Sequence, residues 1–435
     1  MRARLRNSKP FGYSVDLFKA QRFKPTTVRF PTHLFRRVTS SGQFLAELDG
    51  LRFLAIVPVV LFHATLSLYL KRSVDQVSIT GSDIFHSPLG WVISHGFLGV
   101  QLFFVISGFV VTLPFAKHFL LGERKPSLRA FFIKRVTRIE PPYVIALVLF
   151  AIGVLAIAPQ NFRLADFLTG LVYLRTAVFG DSPWAFFISW SLEIEVQFYV
   201  LAPFLATIFA VGNSKIRRAA LVSAIIVFAA YAGHIRLMSA EVEPLPGPLQ
   251  HGMWLGTEIA FFLVGLLVAD LWVMRECRLN TRISSIAYDL AFLAGIVGVY
   301  ASYWVLAASP IAPAFAGMVV LAASLLAMML GGLRGYIARK LLSIPLITAI
   351  GGACYTIYLL HFIFVSSIGR FIPAFTTETF ELNVLLFAVP FAAAIIFACL
   401  ALFPFVERPF MYGNWPQVLW RAVKTKNPRV LTELF

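Results

Sequence analysis

Charge is what this chain has least of: Asp, Glu, Lys and Arg together make up 14% of it, against 59% hydrophobic residues and a mean hydropathy of +0.79. A soluble domain carries about one quarter charged and about one half apolar residues, so an ordinary water-facing fold is excluded. Cysteine is rarer still. Cys277, Cys354 and Cys399 lie in or beside apolar runs without metal-ligand spacing, which implies neither a disulfide framework nor a metal site. Acid is missing from the first 45 residues except for Asp16, and that stretch holds no apolar core long enough for a signal peptide. No internal repeat is visible, and no soluble domain is expected beside the apolar part.

What is present is a series of apolar runs of spanning length, near 51 to 70, 96 to 116, 141 to 159, 187 to 211, 219 to 235, 254 to 274, 286 to 307, 311 to 332, 346 to 369 and 383 to 405. About 20 helical residues cover the hydrocarbon core of a bilayer, so each run reads as one crossing. The expected fold class is all-α, a polytopic helical membrane protein with about ten transmembrane helices. The net charge of +17 would suit nucleic acid, yet 32 of the 38 Lys and Arg fall in the loops and termini of one side. Only Lys71, Arg72, Arg163, Arg175, Arg236 and Arg370 fall elsewhere. The positive-inside rule then places both termini in the cytoplasm and leaves no need for a nucleic-acid partner.

Residues 164 to 180 are apolar but short and carry Arg175, so they are expected to form an interfacial or re-entrant piece on the outer side. Residues 1–45 read as a basic cytoplasmic tail, disordered or drawn to anionic lipid, and 413–435 as a cytoplasmic C-terminal tail. Between them 46–412 form the membrane unit. The Arg-rich, acid-poor start also resembles an organellar transit peptide.

The first run, LRFLAIVPVVLFHATLSLYL from Leu51, holds one cation at its start and one imidazole inside. Arg52 and His63 are eleven residues apart, which is within about 20° of three full turns, so they share a helix face about 16 Å apart along the axis. With Arg52 at the headgroups, His63 sits near mid-membrane, where ionisable groups are costly and usually functional. An imidazole can also take and return a proton near neutral pH. The plainer reading makes Arg52 a snorkelling anchor and His63 a hydrogen-bond donor between helices.

Other polar groups recur at helical spacing. Gly99, Ser107 and Gly108 in the second run would let a neighbouring helix come close. Arg135 and Arg138 in the basic stretch 117 to 138 are three apart, so on a helix they form a fork suited to phosphate oxygens, if they are more than topology signals. Glu193, Glu195, Gln197 and Tyr199 lie in an otherwise apolar fourth run, where a pairing or proton-handling role is expected. Tyr355, Tyr358 and His361 form a stripe in the ninth run, and Glu407, just before Pro409, can meet a basic group at the rim.

Taken together, from about Glu47 to Phe410, these residues resemble the membrane-bound acyltransferase 3 family, which includes bacterial O-antigen and exopolysaccharide acetyltransferases. The resemblance rests on Arg52 and His63, GVQLFFVISGF from Gly99, Arg135 and Arg138, WSLEIEVQFY from Trp190, YTIYLLH from Tyr355, and the terminal Glu-Arg-Pro at Glu407. Two positions depart from many members: Cys354 stands where a serine is common, and Glu195 is followed by Val196 where many have a second acid. The resemblance implies transfer of an acyl group, usually acetyl from acetyl-CoA as co-substrate, to a hydroxyl of a carbohydrate or lipid-linked saccharide. Arg52 and His63 are its essential residues, and Glu195 is expected beside them as catalytic.

Acyl-CoA is cytoplasmic and polyanionic, so Arg135, Arg138 and Arg52 are expected to hold its phosphates while the thioester reaches toward His63. His63 then serves as general base or as transient acyl carrier. No metal and no resident cofactor is expected, and the expected location is the bacterial inner membrane. The rival class is a secondary transporter or flippase for a lipid-linked sugar, which would also place His and Glu in mid-membrane but predicts paired broken helices and a repeat.

Overall fold

A computed structural model of the protein describes residues 45–76, 87–179, 189–241, 254–275, 282–307, 311–372, 379–425 and 427. The basic segment 1–44, Cys277 and residues 428–435 of the expected C-terminal tail lie outside the described residues. Among the described residues the chain is helical, with no strand. The first half comprises α1 (Ala46–Gln76), α2 (Pro88–Ser94), α3 (Gly99–Leu121), α4 (Leu128–Ile157), α5 (Leu164–Leu171), α6 (Arg175–Phe179), α7 (Ser189–Leu205) and α8 (Ser214–Glu241). The second half comprises α9 (Leu255–Arg275), α10 (Arg282–Ala307), α11 (Ile311–Arg334), α12 (Tyr336–Leu342), α13 (Pro345–Gly352), α14 (Cys354–Ile368), α15 (Phe380–Asn383), α16 (Val389–Val406) and α17 (Trp415–Thr425). A π-helical turn at Val384–Ala388 joins α15 to α16. Among the described residues ten helical stretches are long and apolar enough to cross a membrane, in agreement with the ten runs read from the sequence.

Lipid tails are as apolar as leucine, so helices here associate through close packing rather than through exclusion of water. Glycines permit it. A Cβ at Gly108 would strike the Phe262 carbonyl of α9, and one at Gly265 would strike the α3 backbone at Val105 and Phe109. Gly99 presses likewise on the carbonyl of Ala55 in α1. The expectation that Gly99 and Gly108 admit neighbours is met, whereas Ser107 makes a hydrogen bond instead.

The polar interior lies between two apolar cores. One is built from α3, α7, α8, α9 and α11, with Phe109, Phe198, Phe261 and Phe262 at its centre. The other joins α1 to α4, α14 and α16 through residues such as Ile56, Tyr143, Ile357 and Phe403. α1 and α14 run side by side in the same direction: Gly351, just ahead of α14, meets α1 at Asp49, His361 meets His63, and Gly369 meets Ser67.

Two local features differ from a plain reading of the runs. The basic stretch expected as a loop is mostly helix, because α4 starts at Leu128 with the Ser127 hydroxyl accepting the Ala130 N–H at 3.4 Å. Only residues around Gly122, whose φ of 73° closes α3, separate the two helices. The ninth run is broken at Ala353 into α13 and α14, and just before the break Gly351 seats against the Asp49 carbonyl, where a side chain would not fit. The short apolar piece expected at 164 to 180 forms α5 and α6, which pack against the bundle. Tyr173, between them with φ 57°, donates from its hydroxyl to Glu140 at 2.8 Å. Tyr143 donates to the Gly170 carbonyl at 2.9 Å, and its ring stacks on Tyr173 at 4.6 Å.

Candidate active site

The α1 helix carries the first group of charges. Arg52 forms a buried ion pair with Asp49, one turn back on the same helix, so its charge is compensated within α1. Arg138 of α4 lies close enough to Arg52, Glu407, Cys354 and Tyr199 to interact with them electrostatically. The Glu407 carboxylate accepts both the backbone N–H of Thr356 at 3.0 Å and its hydroxyl at 2.9 Å. That places an anion on the first turn of α14, where helical N–H groups have no partner of their own and the dipole favours negative charge. Tyr355, in the same turn, donates to the Ile139 carbonyl of α4 at 2.9 Å. The end of the last span, the start of α14 and the basic end of α4 are thereby tied together.

Arg135 packs its guanidinium over the Phe131 ring at 4.2 Å and faces the Tyr199 ring at 5.3 Å. Tyr199 and Ser107 both donate to Glu195, the second at 2.7 Å. Among the described residues, Nε of Arg135 and Nη2 of Arg138 are buried with no hydrogen-bond partner. A buried cation with an unused donor costs stability unless something accepts from it, and phosphate oxygens match a guanidinium fork. The structure thus groups Arg135, Arg138, Arg52, Glu195, Tyr199, Tyr355 and Glu407 at one end of the interior.

Further along α1 and α14 stands the second group. His361 Nε2 and His63 Nδ1 are 3.1 Å apart. His361 Nδ1 lies 2.8 Å from the Tyr358 carbonyl and 3.0 Å from that of Ile357. Carbonyls only accept, so Nδ1 of His361 carries its proton, and in the neutral ring Nε2 is an acceptor. His63 Nδ1 therefore donates to it, and among the described residues the lone pair on His63 Nε2 is left over. The rings of Phe62 and Phe362 stand 5.0 and 5.8 Å from that of His63, and Phe97 packs on Phe62 at 5.8 Å. Beside the pair, the hydroxyls of Tyr358 and Ser191 meet at 2.5 Å. This nitrogen, in an aromatic enclosure, can take a proton from a hydroxyl or attack a carbonyl carbon.

Glu193 has a different task from Glu195. Buried in α7, it accepts the Thr176 N–H at 2.8 Å and the Ser189 hydroxyl at 3.3 Å, and so fastens α6 to α7. Burial and the Glu140 carboxylate push the Tyr173 phenol well above its usual range, which keeps it a donor. Sequence reading named His361 without its partner and left out Asp49, Ser191 and Glu140. Asp49 is legible as an i, i+3 partner of Arg52, but a serine or tyrosine meeting across helices leaves no local pattern.

The architecture defines a multi-pass helical membrane protein with a polar interior that runs from a cluster of arginines to a pair of imidazoles. The family model described as an acyltransferase domain, acyltransferase 3, matches residues 45–403, and the chain belongs to that family. A Bacillus subtilis protein provisionally named peptidoglycan O-acetyltransferase YrhL is 24% identical over 284 residues, covering 61% of this chain and 40% of the relative. The peptidoglycan O-acetyltransferase OatA of Listeria monocytogenes is 24% identical over 258 residues, or 54% of this chain and 35% of OatA. A provisionally named O-acetyltransferase of Staphylococcus aureus is 22% identical over 406 residues, or 87% and 59%. The chain thus spans between about one third and three fifths of the length of these relatives. No solved structure matches it.

Proposed function

We propose that the protein is an integral-membrane O-acyltransferase that moves an acyl group, acetyl from acetyl-CoA, to a hydroxyl of a cell-surface or exported carbohydrate. The observation that carries this reading is the single nitrogen, His63 Nε2, left with a lone pair by the His63–His361 hydrogen bond. Arg135 and Arg138, with Arg52 beside them, hold the phosphates of CoA, and the thioester arm extends along α1 toward His63. Both termini and the arginine end face the cytoplasm of a bacterium, and the membrane is its inner one. Relatives whose names specify peptidoglycan O-acetylation support the carbohydrate acceptor.

His63 Nε2 accepts the hydroxyl proton as the acceptor oxygen bonds to the thioester carbonyl carbon. The tetrahedral adduct collapses by breaking the carbon–sulfur bond, and the proton passes from His63 to the departing CoA sulfur. Attack by Nε2 itself would give an acyl-histidine, which the same experiment detects.

Purified protein in lipid nanodiscs, given radiolabelled acetyl-CoA and a saccharide acceptor, should release CoA and label the acceptor. His63→Ala should lower that rate at least about a hundredfold, the usual worth of a positioned acid–base group, with the thermal transition unchanged. Label on the protein after acid quenching without acceptor would replace the direct route with the acyl-histidine one. Undiminished product from His63→Ala would remove His63 from the chemistry.

A further inference from the structure

The helix after the last crossing is not built like a solvent-exposed tail. α17 reads WPQVLWRAVKT, and at about 100° per residue its side chains divide into three arcs. Trp415, Val418 and Ala422 turn toward the protein, Val418 being fully buried. Leu419, Trp420 and Val423 fill the next arc and are 44%, 68% and 65% exposed. Gln417, Arg421 and Lys424 fill the last, also exposed. A bulky apolar arc containing tryptophan beside a cationic arc is the pattern of a helix lying in the plane of a bilayer surface. The short α12 repeats it, exposing Tyr336, Ile337 and Leu341 alongside Arg339 and Lys340.

The attachment of α17 is specific. Pro141, inside α4, has no N–H, so the carbonyl of Thr137 four residues earlier lacks its helical partner. Trp415 supplies one: its indole N–H donates to that carbonyl at 2.9 Å, while its ring meets Phe410 edge-on at 5.1 Å. Thr137 directly precedes Arg138. On the α4 surface Ile133 and Val136, 50% and 59% exposed, continue the apolar belt beside this bond.

We propose that α17 lies in the headgroup layer of an anionic phospholipid surface and, through Trp415, ties the position of the Arg135–Arg138 turn to that surface. The cations of α17, on a chain of net charge +17, fit anionic headgroups, and the helix follows the final crossing after only a short turn. The coupling to donor binding rests on the function proposed above; the placement of the helix does not.

Spin labels at Val423→Cys and at Lys424→Cys, with Cys277→Ser, test the placement in nanodiscs containing phosphatidylglycerol. The 423 label should be reached by oxygen more than by an aqueous nickel complex, and the 424 label the reverse. Equal aqueous access at both sites would overturn the proposal. Protection of the 423 label from both reagents would also overturn it, in favour of a covering protein or a second copy. Should a label perturb folding, Trp420→Phe serves instead, since it should remove part of the tryptophan emission quenched by lipids brominated near the headgroup. Unchanged quenching would count against the lipid surface. For the coupling, Trp415→Phe keeps the ring and removes the donor, and should raise the acetyl-CoA KM about fivefold, the worth of one hydrogen bond, without moving the acceptor KM. A shift in neither constant, with the labels behaving as expected, would retain the lipid-bound helix and discard only its tie to the donor site.

Discussion

The imidazoles of His63 and His361, 298 positions apart in the chain, meet at 3.1 Å, and His361 spends its other nitrogen on the carbonyls of its own helix. Under the proposed function, that arrangement makes His361 the cross-helix group that orients the reacting imidazole of His63. Replacing His361 with Leu removes the cross-helix acceptor and leaves the ring of His63 held only through the Val59 carbonyl of its own helix. The turnover number should fall about ten- to a hundredfold while both KM values stay within about twofold, the pattern of a lost orienting contact rather than lost binding. His361→Gln, which keeps an acceptor oxygen, should recover part of it, as steady-state kinetics on the three proteins would show. An equal recovery by Leu and Gln would argue that the contact only fills space.

Arg135 and Arg138 carry buried nitrogens with no partner among the described residues, and their charges sit at the arginine end of the interior. Changing both to Gln should raise the KM for acetyl-CoA about a hundredfold or more, with a much smaller effect on the acceptor. Lys at both positions should rescue only partly, because an ammonium keeps the charge but not the planar fork. An unchanged donor KM would sink the assignment.

Glu407 is the buried anion that holds the first turn of α14 and stands by Arg138. Glu407→Ala should destabilise the protein by about 2–4 kcal/mol, since it strands both the Thr356 N–H and a buried guanidinium. Thermal unfolding in detergent would register it as a lower midpoint, whereas Glu407→Gln, which can still accept, should lose less. A midpoint equal to wild type for the alanine variant would mean that water replaces the carboxylate freely.

Orientation decides whether the donor can reach the arginines at all. Reporters placed after Phe435 and before Leu51 should both read as cytoplasmic, and introduced cysteines near residues 80 and 245 should label from outside. Labelling of the 122 to 127 turn from outside would separate Arg135 and Arg138 from the CoA pool and end the donor proposal.

Most of the crossing pattern was legible because it depends only on length and apolarity, which each stretch carries by itself. The Arg52–His63 face was legible too, since helical spacing fixes it. What could not be read were relationships between helices. Glu195 and His63 look alike in the sequence as isolated polar groups in apolar runs, yet Ser107 and Tyr199 hold the first in the arginine cluster while His361 holds the second elsewhere. The seat of Gly351 was hidden for the same reason: Gly351 and Gly352 mark weakness in a helix, but the α1 backbone at Asp49 that requires a glycine there lies on another run. The helical start of α4 was obscured by its charges, which mark a membrane boundary more loudly than they mark a conformation.

An unbroken α1 from Ala46 to Gln76 acts as a threaded rod between the two groups of the interior. Inserting one residue between Arg52 and His63 would lengthen their gap by only about 1.5 Å but swing the imidazole by about 100°, out of reach of His361. Four inserted residues would bring its bearing back to within about 40°, now displaced by about 6 Å along the rod. The eleven-residue interval is therefore constrained by angle more tightly than by length, and in this stretch a single insertion or deletion should be as damaging as loss of the histidine itself.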